Sequence, residues 1–142
     1  MTAQSYHADL LIDLGAIRRN VTVLSGLARN SGARTMAVVK SDGYGHGAVH
    51  VARAALEAGA DSLGVATLDE ALRLREAGFT VPLLCWLYNA DVDFAPAIAA
   101  DIDLSASSSG ELRRIAAAAA AQGRTARVHL KIDTGLSRNG SP

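Results

Sequence analysis

The stretch AVVKSDGYGHG, Ala37–Gly47, ends an apolar run on a lysine and follows it with three glycines, a tyrosine and a histidine. In sheets flanked by helices, functional groups gather at the carboxyl ends of the strands. Lys40 is expected at such an end. Its amine, once neutral, is a nucleophile that forms Schiff bases with carbonyl compounds. The plainer alternative is a lysine that leaves the sheet and runs to water, and position alone favours it. Gly43, Gly45 and Gly47 would let backbone N–H groups approach an anion, and the next helix would offer its positive end. Tyr44 would add a donor. A glycine run of this kind is also an ordinary turn, and it lacks the lysine ending of a nucleotide-binding loop. His46 is expected in the first helical turn, in a capping or surface role.

A second stretch, HLKIDTGLSRNG, runs from His129 to Gly140. His129, Lys131 and Asp133 share one face of an alternating strand, and Val128, Leu130 and Ile132 share the other. Lys131 and Asp133 could form a buried ion pair. Arg138, past a glycine-containing turn, could instead reach an anionic ligand, because its fork matches a carboxylate. Spacing alone leaves both open.

The elements that would position these groups alternate with a short period. Strands are expected at His7–Asp13, Thr35–Lys40, Ser62–Thr67, Val81–Tyr88, Asp103–Ser107 and Arg127–Asp133. Helical spacing fills the segments between them. Thr67 with Glu70, and Ser108 with Glu111, fit capping boxes at helix starts. Gly59, Gly78 and Gly123 stand where helices should stop. Alternating strands and helices mean a parallel sheet, either doubly wound or closed as a (β/α)8 barrel. VPLLCWLY is apolar throughout, as a strand covered on both faces should be. The polar face of RVHLKID suits a barrel interior that holds a functional group. The expected class is therefore α/β, a (β/α)8 TIM-type barrel of which this chain supplies about the first five strands. Such barrels usually take about 250 residues, so the 142 residues read as part of something larger.

Composition narrows the partners. Fourteen Lys and Arg balance fourteen Asp and Glu, and aromatics are 4%. Neither favours nucleic acid or an anionic membrane. The single cysteine, Cys85, excludes an internal disulfide and a cysteine-rich metal site, and no metal is expected. It reads as a small buried hydrophobe. No signal peptide or membrane-length apolar run is evident, so the expected compartment is the cytoplasm.

These segments together resemble the alanine racemases, fold-type III enzymes that use pyridoxal 5′-phosphate. AVVKSDGYGHG resembles the family's cofactor-lysine motif, with Ser41 and Gly43 in place of two alanines. LLIDLGAIRRN resembles its opening segment. HLKIDTGLSRNG resembles a later segment in which Leu136 stands for the common methionine. The resemblance runs the whole length, in order.

The resemblance implies that Lys40 holds pyridoxal 5′-phosphate through its amine and serves one face of the substrate α-carbon. It implies that Tyr44 contacts the cofactor phosphate. Arg138 would bind near the cofactor's phenolic oxygen and help place the substrate carboxylate. Lys131 would be the residue often carbamylated in the family, its new negative charge holding Arg138. The implied reaction interconverts L- and D-alanine for cell-wall peptidoglycan precursors, in a homodimer. Residues 1–142 would be the N-terminal part of the barrel domain, with the remaining barrel and a C-terminal β-domain outside the chain. The second acid/base is a tyrosine of that β-domain, and none of Tyr6, Tyr44 and Tyr88 matches it. The chain alone is therefore expected to show negligible racemase activity. Alternatives are a related fold-type III racemase or decarboxylase acting on another amino acid, and a pyridoxal-phosphate-binding protein without turnover.

Overall fold

The computed structural model describes residues 8–142. Helix α1 (Leu14–Asn30) comes first. It is succeeded by β1 (Met36–Val38), a short left-handed turn α2 (Lys40–Gly45), α3 (Ala48–Glu57), β2 (Ser62–Val65), α4 (Leu68–Glu76) and β3 (Leu83–Cys85). The chain closes with α5 (Ala95–Ala99), β4 (Asp103–Ala106), α6 (Ser109–Ala121) and β5 (Val128–Leu130).

All five strands are parallel and lie in the order β1-β2-β3-β4-β5. A doubly wound sheet reverses its strand order at a switch point. This sheet never does, so every crossover of the same hand puts its helix on the same face. That is the geometry of a (β/α) barrel wall. The register agrees with it. Leu63 aligns with Leu83, and Cys85 with Leu104. These residues, with Val39, Val65 and Ala106, are buried under Leu68, Ala71, Leu74, Phe94, Ile98 and Ile115 of the helical layer. Each fully buried leucine contributes on the order of 1.5–3 kcal/mol. The opposite face carries Met36, Val38, Trp86, Asp103, Ser105, Arg127 and His129. It is the more polar and more open face, as RVHLKID leads one to expect; Val38 is half exposed. Gly64 belongs to this inner face because a Cβ there would lie 2.8 Å from the Met36 sulfur and 2.9 Å from the Trp86 ring.

The strand expected at His7–Asp13 is corrected. His7 lies outside the described residues, and residues 8–13 form no ladder. Leu10 and Leu11 are 81% and 90% exposed, with no neighbouring strand to pair against. Asp13 instead caps α1, its carboxylate accepting from the Ala16 N–H at 3.0 Å. The later strands stand where expected but are shorter. At β3 the Tyr88 hydroxyl enters the ladder, accepting from the Ser105 N–H at 2.8 Å and donating to the Cys85 carbonyl at 2.6 Å. Cys85 is fully buried, and burial pushes its thiol up to about 12.

At the amino end of the sheet, the Arg75 guanidinium donates to the carbonyls of Phe79, Val81, Ala100 and Asp101. Beside it, Arg127 bridges Asp101 and Asp103, and His129 Nε2 lies 3.4 Å from Asp103 Oδ2. These hydrogen bonds hold the Asp101 carboxyl below its ordinary range and raise Arg127. No described helix is long and apolar enough to cross a membrane.

Candidate functional site

Lys40 lies one residue beyond β1, past Val39, at the strand's carboxyl end. Alternation puts Met36 and Val38 on the inner face, because Ala37 and Val39 pack into the core, and Lys40 opens the turn after Val39, whose ψ of 23° ends the extended backbone. The side chain is half-buried. Its Nζ lies 5.3 Å from the centre of the Tyr44 ring. Among the described residues it has no carboxylate partner.

The segment after Lys40 is a turn, the commoner of the two readings of its glycines. Ser41, Asp42, Gly43 and Tyr44 have φ between 54° and 60° and ψ between 35° and 44°, one complete left-handed turn. Each non-glycine residue in that region costs on the order of 1 kcal/mol or more, so the turn needs outside support. Part of the support is local. The Gly43 N–H donates to the Val39 carbonyl at 3.0 Å and the Gly47 N–H to the Asp42 carbonyl at 3.0 Å. The Asp42 carboxylate accepts from the Ala48 N–H at 2.7 Å, so the start of α3 is already capped. His46 precedes α3 rather than lying inside it, and its Nδ1 is 2.9 Å from the Gly43 carbonyl. The tertiary support is Glu70, whose Oε1 accepts from the Ser41 N–H at 2.6 Å. The backbone donors at Ser41, Gly43, Gly47 and Ala48 are thus committed to the turn and to α3. Of the two readings that the glycine run left open, these bonds belong to the turn. Gly43 packs against Val51, where a Cβ would sit 3.3 Å from a methyl carbon.

The second stretch forms a closed loop. The Ser141 N–H donates to the Lys131 carbonyl at 2.8 Å, and the Asp133 N–H returns to the Ser141 carbonyl at 2.8 Å. Between them the Asp133 carboxylate accepts from the Gly135 and Ser137 N–H groups at 2.9 and 3.0 Å. Those donors hold its pKa below the ordinary carboxylate range. Asp133 is therefore occupied by its own loop, and the buried Lys131–Asp133 ion pair left open by the spacing does not form. Gly140 closes the loop at φ +134°, where a Cβ would lie 2.6 Å from the Asp133 nitrogen. Ser107 anchors the loop from the end of β4, its hydroxyl donating to Asn139 Oδ1 at 2.5 Å. Arg138 sits in this loop, exposed and without a charged partner among the described residues. Lys131 is half-buried on the inner face just past β5, its N–H donating to the Ala106 carbonyl at 2.8 Å.

The structure thus brings Lys40 and Tyr44 together. It sets Lys131 and Arg138 past the end of the far strand β5, at the same carboxyl end of the sheet. Reasoning from sequence missed the tie from Glu70 to Ser41 and the Tyr88 bridge. The only signal for the first was the Thr67–Glu70 capping box.

The sequence profile of the alanine racemase N-terminal domain matches residues 12–142. The chain belongs to that family. It is 60% identical over 133 residues to the alanine racemase of Mycolicibacterium smegmatis, covering 94% of this chain and 34% of that protein. The crystal structure of alanine racemase from a D-cycloserine-producing Streptomyces lavendulae superposes with a TM-score of 0.88 at 53% identity. That match covers 92% of this chain and 34% of the other. A histidine racemase from Leuconostoc mesenteroides is similar too, with a TM-score of 0.80 at 33% identity over 91% of this chain and 34% of that one. The chain spans about a third of the length of the relatives it matches. Alanine racemase relatives of high identity carry the same barrel wall.

The residues present fit an aldehyde cofactor that bears a phosphate. A primary amine without an acid partner is what an aldehyde requires, and Lys40 supplies it. The Tyr44 phenol beside it, and the Arg138 guanidinium, are donors suited to anionic oxygens.

Proposed function

We propose that this chain carries the cofactor-lysine part of a pyridoxal-phosphate-dependent alanine racemase that interconverts L- and D-alanine. The observation that carries the reading is Lys40. It is an amine without a carboxylate partner among the described residues, just past the carboxyl end of β1, in a chain of the alanine racemase N-terminal domain family. Pyridoxal phosphate, when bound, supplies an electron sink that makes the α-proton of an amino acid removable.

The chain's own residues would divide the remaining work. Lys40 would hold the cofactor and move a proton at one face of the α-carbon from its Nζ. Tyr44 would donate its hydroxyl to the phosphate. Arg138 would orient the substrate carboxylate through its paired N–H donors. Lys131, once carbamylated, would present a carboxylate to Arg138. In this reading residues 1–142 form the N-terminal part of the barrel domain of a cytoplasmic homodimer, and the product serves cell-wall precursors.

A second reading keeps the chemistry and changes the amino acid. The likeness to a histidine racemase supports it, because the same barrel wall occurs in an enzyme named for another substrate. Borohydride trapping tests the shared part. The chain is incubated with pyridoxal phosphate and reduced, and the peptides are mapped. A pyridoxyl mass on Lys40 is expected. Label on Lys131, the sequence's other lysine, or none, would overturn the proposal. Chiral analysis with alanine and with histidine as substrates of the full chain separates the two readings.

A further inference from the structure

We infer that Glu70 is a positioning residue for Lys40, acting through the left-handed turn; the inference rests on the reading that Lys40 holds the cofactor. Glu70 does more than cap its own helix. Its Oε2 accepts from the N–H groups of Ala66 and Thr67 at 2.9 and 3.1 Å, and its own N–H donates to the Thr67 hydroxyl. That is the capping box legible in the sequence. Its Oε1 is left over, and it reaches across to the Ser41 N–H at 2.6 Å.

The other capping pair shows that this reach is not built into the motif. Glu111 accepts from the Ser107 N–H at 2.6 Å, and its N–H meets the Ser108 hydroxyl at 3.2 Å. Its second oxygen takes no donor from a neighbouring strand end among the described residues. Glu70 differs because the adjacent strand ends in a strained turn that must be held. The turn's other hydrogen bonds lie within residues 39–48, except that the Val39 N–H at its start donates to the Gly64 carbonyl of β2, so beyond Lys40 Glu70 supplies the bond that ties the turn to the neighbouring helix α4. Ser41 is the residue after Lys40. Fixing its amide fixes the direction in which the Lys40 side chain leaves the strand. A charge-assisted bond is suited to this, being stronger and more directional than a neutral one.

The test compares three variants of the full chain with the parent. Glu70→Gln keeps the shape but has one oxygen, so it cannot serve both the cap and Ser41. Glu70→Asp keeps the charge but is a methylene short of Ser41. Thr67→Ala weakens the cap and leaves the Ser41 bond intact. Amide hydrogen exchange is monitored at Ser41 and Gly43, and borohydride-trapped pyridoxal phosphate at Lys40. Both Glu70 variants are expected to speed exchange about tenfold and to slow labelling by a similar factor, the size of one such bond. Thr67→Ala is expected to lower Tm while leaving both readouts within about twofold of the parent. Unchanged exchange in both Glu70 variants, with Tm lowered as in Thr67→Ala, would reduce Glu70 to a helix cap and overturn the inference. Faster exchange with unchanged labelling would overturn the positioning role. A parent chain that takes no label at Lys40 would defeat the cofactor reading instead, and with it the positioning role, while exchange would still report whether Glu70 holds the turn.

Discussion

The Lys40 turn and the Arg138 loop stand on opposite strands of the same sheet, and each combines its own bonds with one outside tie of a different kind. The turn is strained, and besides its internal bonds it is tied by a carboxylate 29 residues away in sequence. The loop is closed mainly from inside, by the Lys131–Ser141 backbone pair, the Asp133 carboxylate and Gly140, with Ser107 as its outer anchor. Lys40 is half-buried against Tyr44, whereas Arg138 is exposed. The difference teaches where precision is built. In the proposed reading Lys40 forms a bond and so needs a fixed exit from the strand, which a neighbouring element would supply. Arg138, proposed to recognise charge, needs only a firm base and a free side chain.

The comparison can be broken most severely at the two residues that define it. Lys40→Ala is expected to abolish pyridoxyl labelling of the chain while leaving Tm nearly unchanged, as mass mapping and thermal melting would register. Label taken up on Lys131 to the parent's extent would remove Lys40 from the centre of the site.

Gly140→Ala should act on the other arm. The added methyl would collide with the Asp133 backbone, and φ +134° is foreign to alanine, so a local cost of about 1–3 kcal/mol is expected. Limited proteolysis of residues 131–142 should accelerate, with Lys40 labelling unchanged. A matching fall in labelling would mean that the two arms are not built separately.

Acid sharpens the same distinction. The backbone donors lower the Asp133 pKa in the folded loop. Its charged form is thereby favoured in the folded state. The contribution is complete above the unfolded value of about 4 and is lost as pH falls through the lower folded value. Amide exchange around Gly135 and Ser137 should rise in that window, and Asp133→Asn should remove the pH dependence. The smallest effect is expected from Ser107→Ala, which deletes one exposed hydrogen bond to Asn139 and should cost about 0.5–1 kcal/mol by thermal melting. A larger loss would show that the loop depends on its outer anchor as the turn depends on Glu70.

The order of elements was legible in the sequence because the signals are local. Apolar runs, the Thr67 and Ser108 caps, and the glycines after α3, α4 and α6 mark it residue by residue. The polar inner face of β5 also pointed to a barrel wall, and the wall is there. The failures share one cause, a partner out of view. HADLLID has the pattern of a strand, but residues 8–13 meet no neighbour to pair with. VPLLCWLY pairs over fewer residues than its apolar run, since the Tyr88 hydroxyl replaces a ladder bond. The glycines after Lys40 read either as a turn or as room for a ligand. They belong to a left-handed turn whose support comes from Glu70, and no window of sequence around Lys40 contains that residue. Arg75, which gathers four carbonyls from two loops, looks in the sequence like any other helical arginine.

Cys85 has a practical consequence. Its thiol lies under the helices with its Sγ 3.2 Å from the Ala66 carbonyl, and burial keeps it protonated. A thiol-reactive dye at neutral pH therefore finds neither access nor thiolate in the folded chain. Its rate of capture becomes a clock for how often the middle of the sheet opens, read without any engineered probe, because the sequence holds no other cysteine to obscure the signal.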